Sequence, residues 1–144
     1  MKLKVLVLED DPALRFALTQ VLEDGGHTVY ATGDISVACE TLHEVTPDLL
    51  LLDLMIGHAE SIQVADLAGY RSPDAEIIYL TGSKKYPRGE LFNLSRNASW
   101  VLRKPIDFHE LQAIFAHFKS SFPKTPTQKT FEMAGSSWGE PPSE

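Results

Sequence analysis

Asp48-Leu49-Leu50-Leu51-Leu52-Asp53-Leu54 is the stretch that decides the fold. Four consecutive leucines leave no polar face, so a strand here must be covered on both sides, as the central strands of parallel sheets are. The run is too short for an isolated helix and ends abruptly in a carboxylate. A buried strand that delivers an acid at its C-terminal end places that acid where open α/β sheets form their sites.

Working outward, short apolar runs alternate with amphipathic stretches, the pattern of successive βα units. Upstream, Leu3 to Leu8 reads as the first strand. Asp11 is a natural N-cap and Pro12 suits the first helical turn. Leu14, Ala17, Leu18, Val21 and Leu22 recur at helical spacing, and Gly25-Gly26 ends that helix. His27 to Ala31 reads as a weak second strand. Asp34 caps a second helix with Ile35, Ala38, Leu42 and Val45 inward, and Pro47 stops it.

Downstream, a short helix is expected over about Ser61 to Gly69, a fourth strand over Glu76 to Leu80, and another helix near Gly89 to Asn97. Trp100-Val101-Leu102 reads as a fifth strand. Phe108, Leu111, Ile114, Phe115 and Phe118 mark a last helix. The reading is therefore α/β: five parallel strands and five helices in alternation. Residues 1–122 form the domain. Residues 123–144 hold four prolines and no apolar periodicity, and read as a flexible tail too short for a fused effector domain.

The bulk properties agree with one folded domain of 144 residues: 43% are hydrophobic, enough for a core. A formal net charge of −7 disfavours direct binding to nucleic acid, whose phosphates require clustered Lys and Arg. The single cysteine, Cys39, lies in an apolar helical pattern and reads as a packed side chain. Neither a signal-peptide pattern nor an apolar run of about 20 residues is present, so a cytoplasmic protein without a membrane partner is expected.

Polar residues that break the strand pattern gather at strand ends: Glu9, Asp10 and Asp11 after the first, Asp53 after the third, Thr81 after the fourth and Lys104 after the fifth. Singly, each has an ordinary reading as a helix cap or a turn former. Together they converge on one crevice. Carboxylates about 4 Å apart repel by roughly 4 kcal/mol at an effective dielectric near 20, so the cluster requires cations. Lys104 supplies one and Mg²⁺, a hard oxygen-seeking ion, would supply another. A carboxylate can act as a nucleophile towards phosphorus, with a lysine and a hydroxyl stabilising the phosphoryl oxygens.

At these motifs the chain resembles the receiver (CheY-like) family of bacterial response regulators. The resemblance runs from about Leu3 to Phe118 on "VLVLEDDPALR", "DLLLLDL", "IIYLTG" and "VLRKP". It implies a flavodoxin-like sheet of order 2-1-3-4-5, with Asp53 as acceptor of a phosphoryl group from a histidine kinase or phosphotransfer protein. It implies Mg²⁺ held by Glu9, Asp10, Asp53 and the Met55 carbonyl, and Thr81 and Lys104 as partners of the phosphoryl group. Lys104-Pro105 matches a bond usually cis in the family. The implied output is a conformational change passed to a downstream protein, with self-association through the fourth predicted helix, fifth strand and fifth helix. Such a domain signals and is not an enzyme beyond its own phosphotransfer and dephosphorylation.

Departures from the family pattern fall at Ile56, Gly57 and Ser61, where relatives commonly carry Met, Pro and Gly. A further departure is Val101, where an aromatic switch residue is usual. Signalling is therefore expected to pass through the loop from Gly82 to Gly89 rather than through an inward-swinging ring. A phosphorylation-independent binding module is the alternative that Val101 keeps open. A Mg²⁺-dependent aspartyl phosphatase would need Asp-x-Asp where this chain has Glu9-Asp10-Asp11, and a late acidic pair where only Asp107 and Glu110 stand. A flavodoxin would need a Ser/Thr-rich loop in place of three acids.

Overall fold

The computed structural model describes residues 2–57, 59–82 and 98–121. The elements run β1 (Lys4–Leu8), α1 (Pro12–Asp24), β2 (Thr28–Thr32), α2 (Ile35–Glu44), β3 (Leu49–Asp53), β4 (Met55–Ile56), β5 (Ala59–Glu60), α3 (Ile62–Arg71), β6 (Glu76–Thr81), β7 (Ala98–Arg103) and α4 (Phe108–Ser121). The helix expected near Gly89 to Asn97 and the tail expected over 123–144 lie outside the described residues. Two compact units divide the chain, Met1–Ile106 and Asp107–Glu144, and α4 belongs to the second.

The five long strands form one parallel sheet of order β2-β1-β3-β6-β7. Counting only these strands, that is the expected 2-1-3-4-5. Leu49, Leu50, Leu51 and Leu52 are all fully buried, as a centre strand covered on both faces demands. Asp48 fixes where β3 begins. Its side chain accepts from the Lys4 amide at 2.8 Å, its own amide donates to the Lys4 carbonyl at 2.8 Å, and its carbonyl accepts from Glu76.

The pleat sorts the core. Leu6, Leu8, Leu50, Leu52, Ile77 and Tyr79 pack with Ala38 and Leu42 of α2 and Val64, Ala65 and Ala68 of α3. Val5, Val7, Leu49, Leu51, Ile78 and Leu80 alternate with them and are equally buried, while α1 contacts β1 and β2 and buries Leu18 and Leu22. Helices on both faces make the sheet doubly wound. Leu51→Ala should cost about 2–5 kcal/mol, the range for a buried leucine that leaves a cavity. A fall in the urea midpoint without loss of parallel-sheet circular dichroism would report it. An unchanged midpoint would contradict the two-sided burial.

Caps follow the residues that mark them. Asp11 accepts from Ala13 at 3.1 Å with Pro12 at the first helical position, and Asp34 accepts from Val37 at 3.1 Å. Gly26 takes φ +92 after α1, a left-handed turn that suits glycine. The antiparallel pair β4–β5 was not expected from the sequence. Met55 pairs with Glu60 and Ile56 with Ala59, and Gly57 turns between them at φ +62. Two-residue strands carry no alternation for a periodicity argument to read.

Candidate phosphoacceptor site

Beyond the C-terminal ends of β1, β3 and β6 the chain collects its isolated charges. Glu9, one residue past β1, is wholly buried and donates its amide to the Thr32 carbonyl at 3.0 Å. Asp53 ends β3 and is 5% exposed, and Thr81 ends β6 and is 1% exposed. Lys104 follows β7 and donates its amide to the Thr81 carbonyl at 2.9 Å. The Lys104-Pro105 peptide is cis.

One ammonium serves two acids. Lys104 Nζ lies 2.9 Å from Asp53 Oδ2, 3.0 Å from Glu9 Oε1 and 3.2 Å from Glu9 Oε2. Glu9 Oε2 also accepts from the Asp11 amide at 3.0 Å. Oε1, although close to the ammonium, has no donor aligned on it and is a buried acceptor without a hydrogen bond. Glu9, Asp10 and Asp53 bring one carboxylate oxygen each to within 4.8 Å of one another. Three hard oxygens, on a site whose Glu9 also carries a buried oxygen without a hydrogen bond, are a donor set that fits a divalent cation such as Mg²⁺.

The two ends of the ion pair respond differently. Burial pushes the Glu9 carboxyl above its ordinary range, and the neighbouring Asp53 charge adds to the rise. The Asp11 amide and Lys104 oppose it without cancelling it. Burial also opposes the charge on Lys104, but hydrogen bonds and attraction from Asp53 and Glu9 outweigh it and raise its pKa. The lysine gains from the arrangement while the glutamate is left under strain of burial and repulsion.

That direction sets a pH prediction for metal-free protein. A carboxyl whose folded pKa is raised contributes stability at acid pH and loses it as pH rises through the folded value. Glu9→Gln, permanently neutral, should therefore be more stable than the wild type at neutral pH in chelator. The gap should close as pH falls below the ordinary glutamate range. Thermal unfolding across that range measures it, and a variant less stable at neutral pH would reverse the assignment.

Asp10 is exposed, and its Oδ2 accepts from the Gly57 amide at 2.9 Å, tying the β4–β5 turn to the acidic loop. Met55 donates its amide to Asp53 Oδ1 at 3.3 Å. Ser61 is buried, donates its hydroxyl to the Asp53 carbonyl at 2.6 Å and its amide to the Leu54 carbonyl at 2.9 Å. The loop that departs from the family pattern at Gly57 and Ser61 is thus held at both positions.

Residues 5–116 match the response regulator receiver domain family. The chain belongs to that family. The receiver is 31% identical over 108 residues to the response regulator receiver protein CpdR of Brucella abortus, covering 75% of this chain and 89% of that protein. It is 33% identical over 113 residues to the DNA-binding response regulator MtrA of Mycolicibacterium smegmatis, covering 78% of this chain and 49% of that one. It thus spans about half the length of that DNA-binding relative. TrrA of Thermotoga maritima, solved in complex with Mg²⁺-BeF, superposes with a TM-score of 0.68 at 28% identity over 81% of this chain and 97% of that one. A CheY-like receiver of Methanospirillum hungatei shares the fold, with a TM-score of 0.70 at 21% identity over 92% of this chain and 98% of its own.

In this receiver the structure gathers the expected Glu9, Asp10, Asp53 and Lys104, with Thr81 at the end of the strand beside Asp53. Val101 is half-buried and packs onto the α2–α3 side of the core. Its register partner on β6 is the wholly buried Tyr79. Sequence reasoning marks Gly57 and Ser61 only as departures in the loop after Asp53, and gives Arg15 no place at the site. Arg15 donates Nη1 to the Glu9 carbonyl at 2.9 Å. A signal for it existed: long side chains in a first helical turn lean back towards the N-terminus, here towards the acidic loop.

Proposed function

We propose that this receiver accepts a phosphoryl group on Asp53, from a histidine kinase or phosphotransfer protein, and passes the change on to a partner protein. The observation that carries the proposal is the Lys104 ammonium shared between Asp53 and Glu9, beside three carboxylates that converge within 4.8 Å. Glu9, Asp10, Asp53 and the Met55 carbonyl would hold Mg²⁺, and the Mg²⁺-BeF complex of the relative TrrA supports that choice of metal. When bound, Mg²⁺ would neutralise charge on the phosphoryl oxygens.

Asp53 is the nucleophile. A carboxylate oxygen forms a bond to phosphorus while the bond from phosphorus to the donor's imidazole nitrogen breaks, and the electron pair stays on that nitrogen. Lys104, 2.9 Å from Oδ2, balances the incoming charge. The Thr81 hydroxyl turns towards the phosphoryl oxygens because a charged acceptor makes the stronger hydrogen bond. Val101 and Pro105 flank the segment that would relay the shift. With a β-branched aliphatic at 101 the readout runs through the loop that begins at Gly82, and self-association through the face bearing β7 is one output.

The receiver would occupy residues 1–122 with a segment over 123–144 beyond it, and would signal in the cytoplasm without itself contacting nucleic acid. No helix among the described residues is long and apolar enough to cross a membrane. Its chemistry is confined to its own phosphotransfer and dephosphorylation.

Intact-protein mass spectrometry with a small phosphodonor tests the reading. One phosphoryl group should be added with Mg²⁺ and none in chelator. Asp10→Asn should raise the Mg²⁺ needed for half-maximal labelling by about tenfold, a loss of ~1.4 kcal/mol. Labelling indifferent to metal would refute the site. Protein that binds its partner without ever taking label would favour the phosphorylation-independent module.

A further inference from the structure

Arg15 has a place at the site that neither acid nor lysine fills. Its half-buried guanidinium donates Nη1 to the backbone carbonyl of Glu9 at 2.9 Å. Among the described residues it forms no ion pair, so its bond is to the peptide joining Glu9 and Asp10 and not to a carboxylate. That peptide is held on both sides. The Glu9 amide donates to Thr32 at 3.0 Å, and the Asp11 amide donates back to Glu9 Oε2 at 3.0 Å. Arg15 supplies the hydrogen bond to the carbonyl between them.

Gly33, at the end of β2, makes room for the guanidinium. A Cβ there would stand 2.5 Å from Arg15 Nη1, 3.2 Å from the Glu9 carbonyl oxygen and 3.3 Å from Asp10 Cα. The last two are backbone atoms that yield little. The first is the tip of a flexible side chain, so an added methyl group would drive the guanidinium off the carbonyl.

We propose that Arg15 is a positioning residue: through a slot kept open by Gly33 it fixes the Glu9–Asp10 peptide and so sets the affinity of the acidic pair for Mg²⁺. The inference rests on the metal-assisted reading of the site given above. Groups that orient metal ligands without touching the metal typically contribute 10- to 100-fold in affinity. Arg15 acts through a backbone carbonyl, which places it near the lower end, about tenfold.

The test is a double-mutant cycle read by calorimetric Mg²⁺ titration of the full chain, with metal-free thermal unfolding alongside. Arg15→Met keeps the side-chain length but removes the donors, and Gly33→Ala displaces the guanidinium. Each should weaken Mg²⁺ binding about tenfold, and the double variant should fall well short of the product of the two losses, because both act on the one Glu9–Asp10 peptide. Arg15→Lys, which retains a donor, should recover part of the loss.

Unchanged affinity in Arg15→Met, or losses that multiply in the double variant, would overturn the proposal. So would a fall in melting temperature in chelator with no change in Mg²⁺ affinity, which marks a role in folding alone. Should Arg15→Met fail to fold, Gly33→Ala and Arg15→Lys still give the comparison. A wild-type chain that binds no Mg²⁺ would overturn the metal reading together with this inference. Normal wild-type binding with unaffected variants would overturn this inference only.

Discussion

Asp53→Asn should abolish phosphorylation while leaving the protein folded. The amide is nearly isosteric but lacks the charged oxygen that attacks phosphorus, and its weak nucleophilicity leaves no route to an acyl phosphate. Folding should survive, because an amide oxygen can still accept from Lys104 Nζ, which stands 2.9 Å from Asp53 Oδ2. The substitution also removes the Asp53 charge that helps push up the Glu9 carboxyl, so metal-free melting should hold or rise. Intact mass after incubation with Mg²⁺ and a small phosphodonor reads the first effect, and thermal unfolding in chelator reads the second. Label at the wild-type level would move the acceptor to another carboxylate, with Glu9 and Asp10 next to be replaced.

Much of this site was legible because burial and charge conflict openly in the sequence. Leu49 to Leu52 can be buried on both faces only in a central strand, and all four are. An acid that follows such a run stands at a strand end by necessity. The same logic placed Thr81 after Ile77 to Leu80, and Lys104 after Trp100 to Leu102. Side chains that act through the backbone were not legible. Ser61 holds the Asp53 carbonyl across a loop and Arg15 holds the Glu9 carbonyl across a helix start, and neither bond follows from spacing or hydropathy. The β4–β5 pair escaped for a related reason. Its register depends on Gly57 taking φ +62 and on Asp10, 47 positions away in sequence, accepting the Gly57 amide. Tyr79 is a third case. Val101 marks a missing ring at its own position, but only the register with β6 shows that Tyr79 is its neighbour on the next strand.

Lys104→Met tests the electrostatics from the cationic side and carries the second large effect. In chelator the variant leaves Glu9, fully buried, and Asp53, nearly so, with no shared cation. Removing one partner from a buried ion pair typically costs 3–5 kcal/mol; with the Lys104 side chain 27% exposed, about 2–3 kcal/mol is expected. The raised pKa of Lys104 gives the sign: its contribution is complete at neutral pH and would fade only as pH climbs through that raised value. Mg²⁺ should stabilise the variant more than the wild type, because the bound ion then takes over the charge that the lost ammonium placed beside Glu9 and Asp53, and stabilisation grows with metal occupancy. Adding Glu9→Gln should return much of the lost stability, since one of the stranded charges disappears with it. Urea unfolding of the four proteins, with and without Mg²⁺, forms the cycle. Phosphorylation, where it still occurs, should no longer draw Thr81, because the charge that orients the phosphoryl oxygens is gone; backbone amide shifts around Thr81 report that. A Lys104→Met protein as stable as the wild type in chelator would mean that Glu9 is protonated at neutral pH, and the acidic cluster would then carry one charge fewer than its geometry implies.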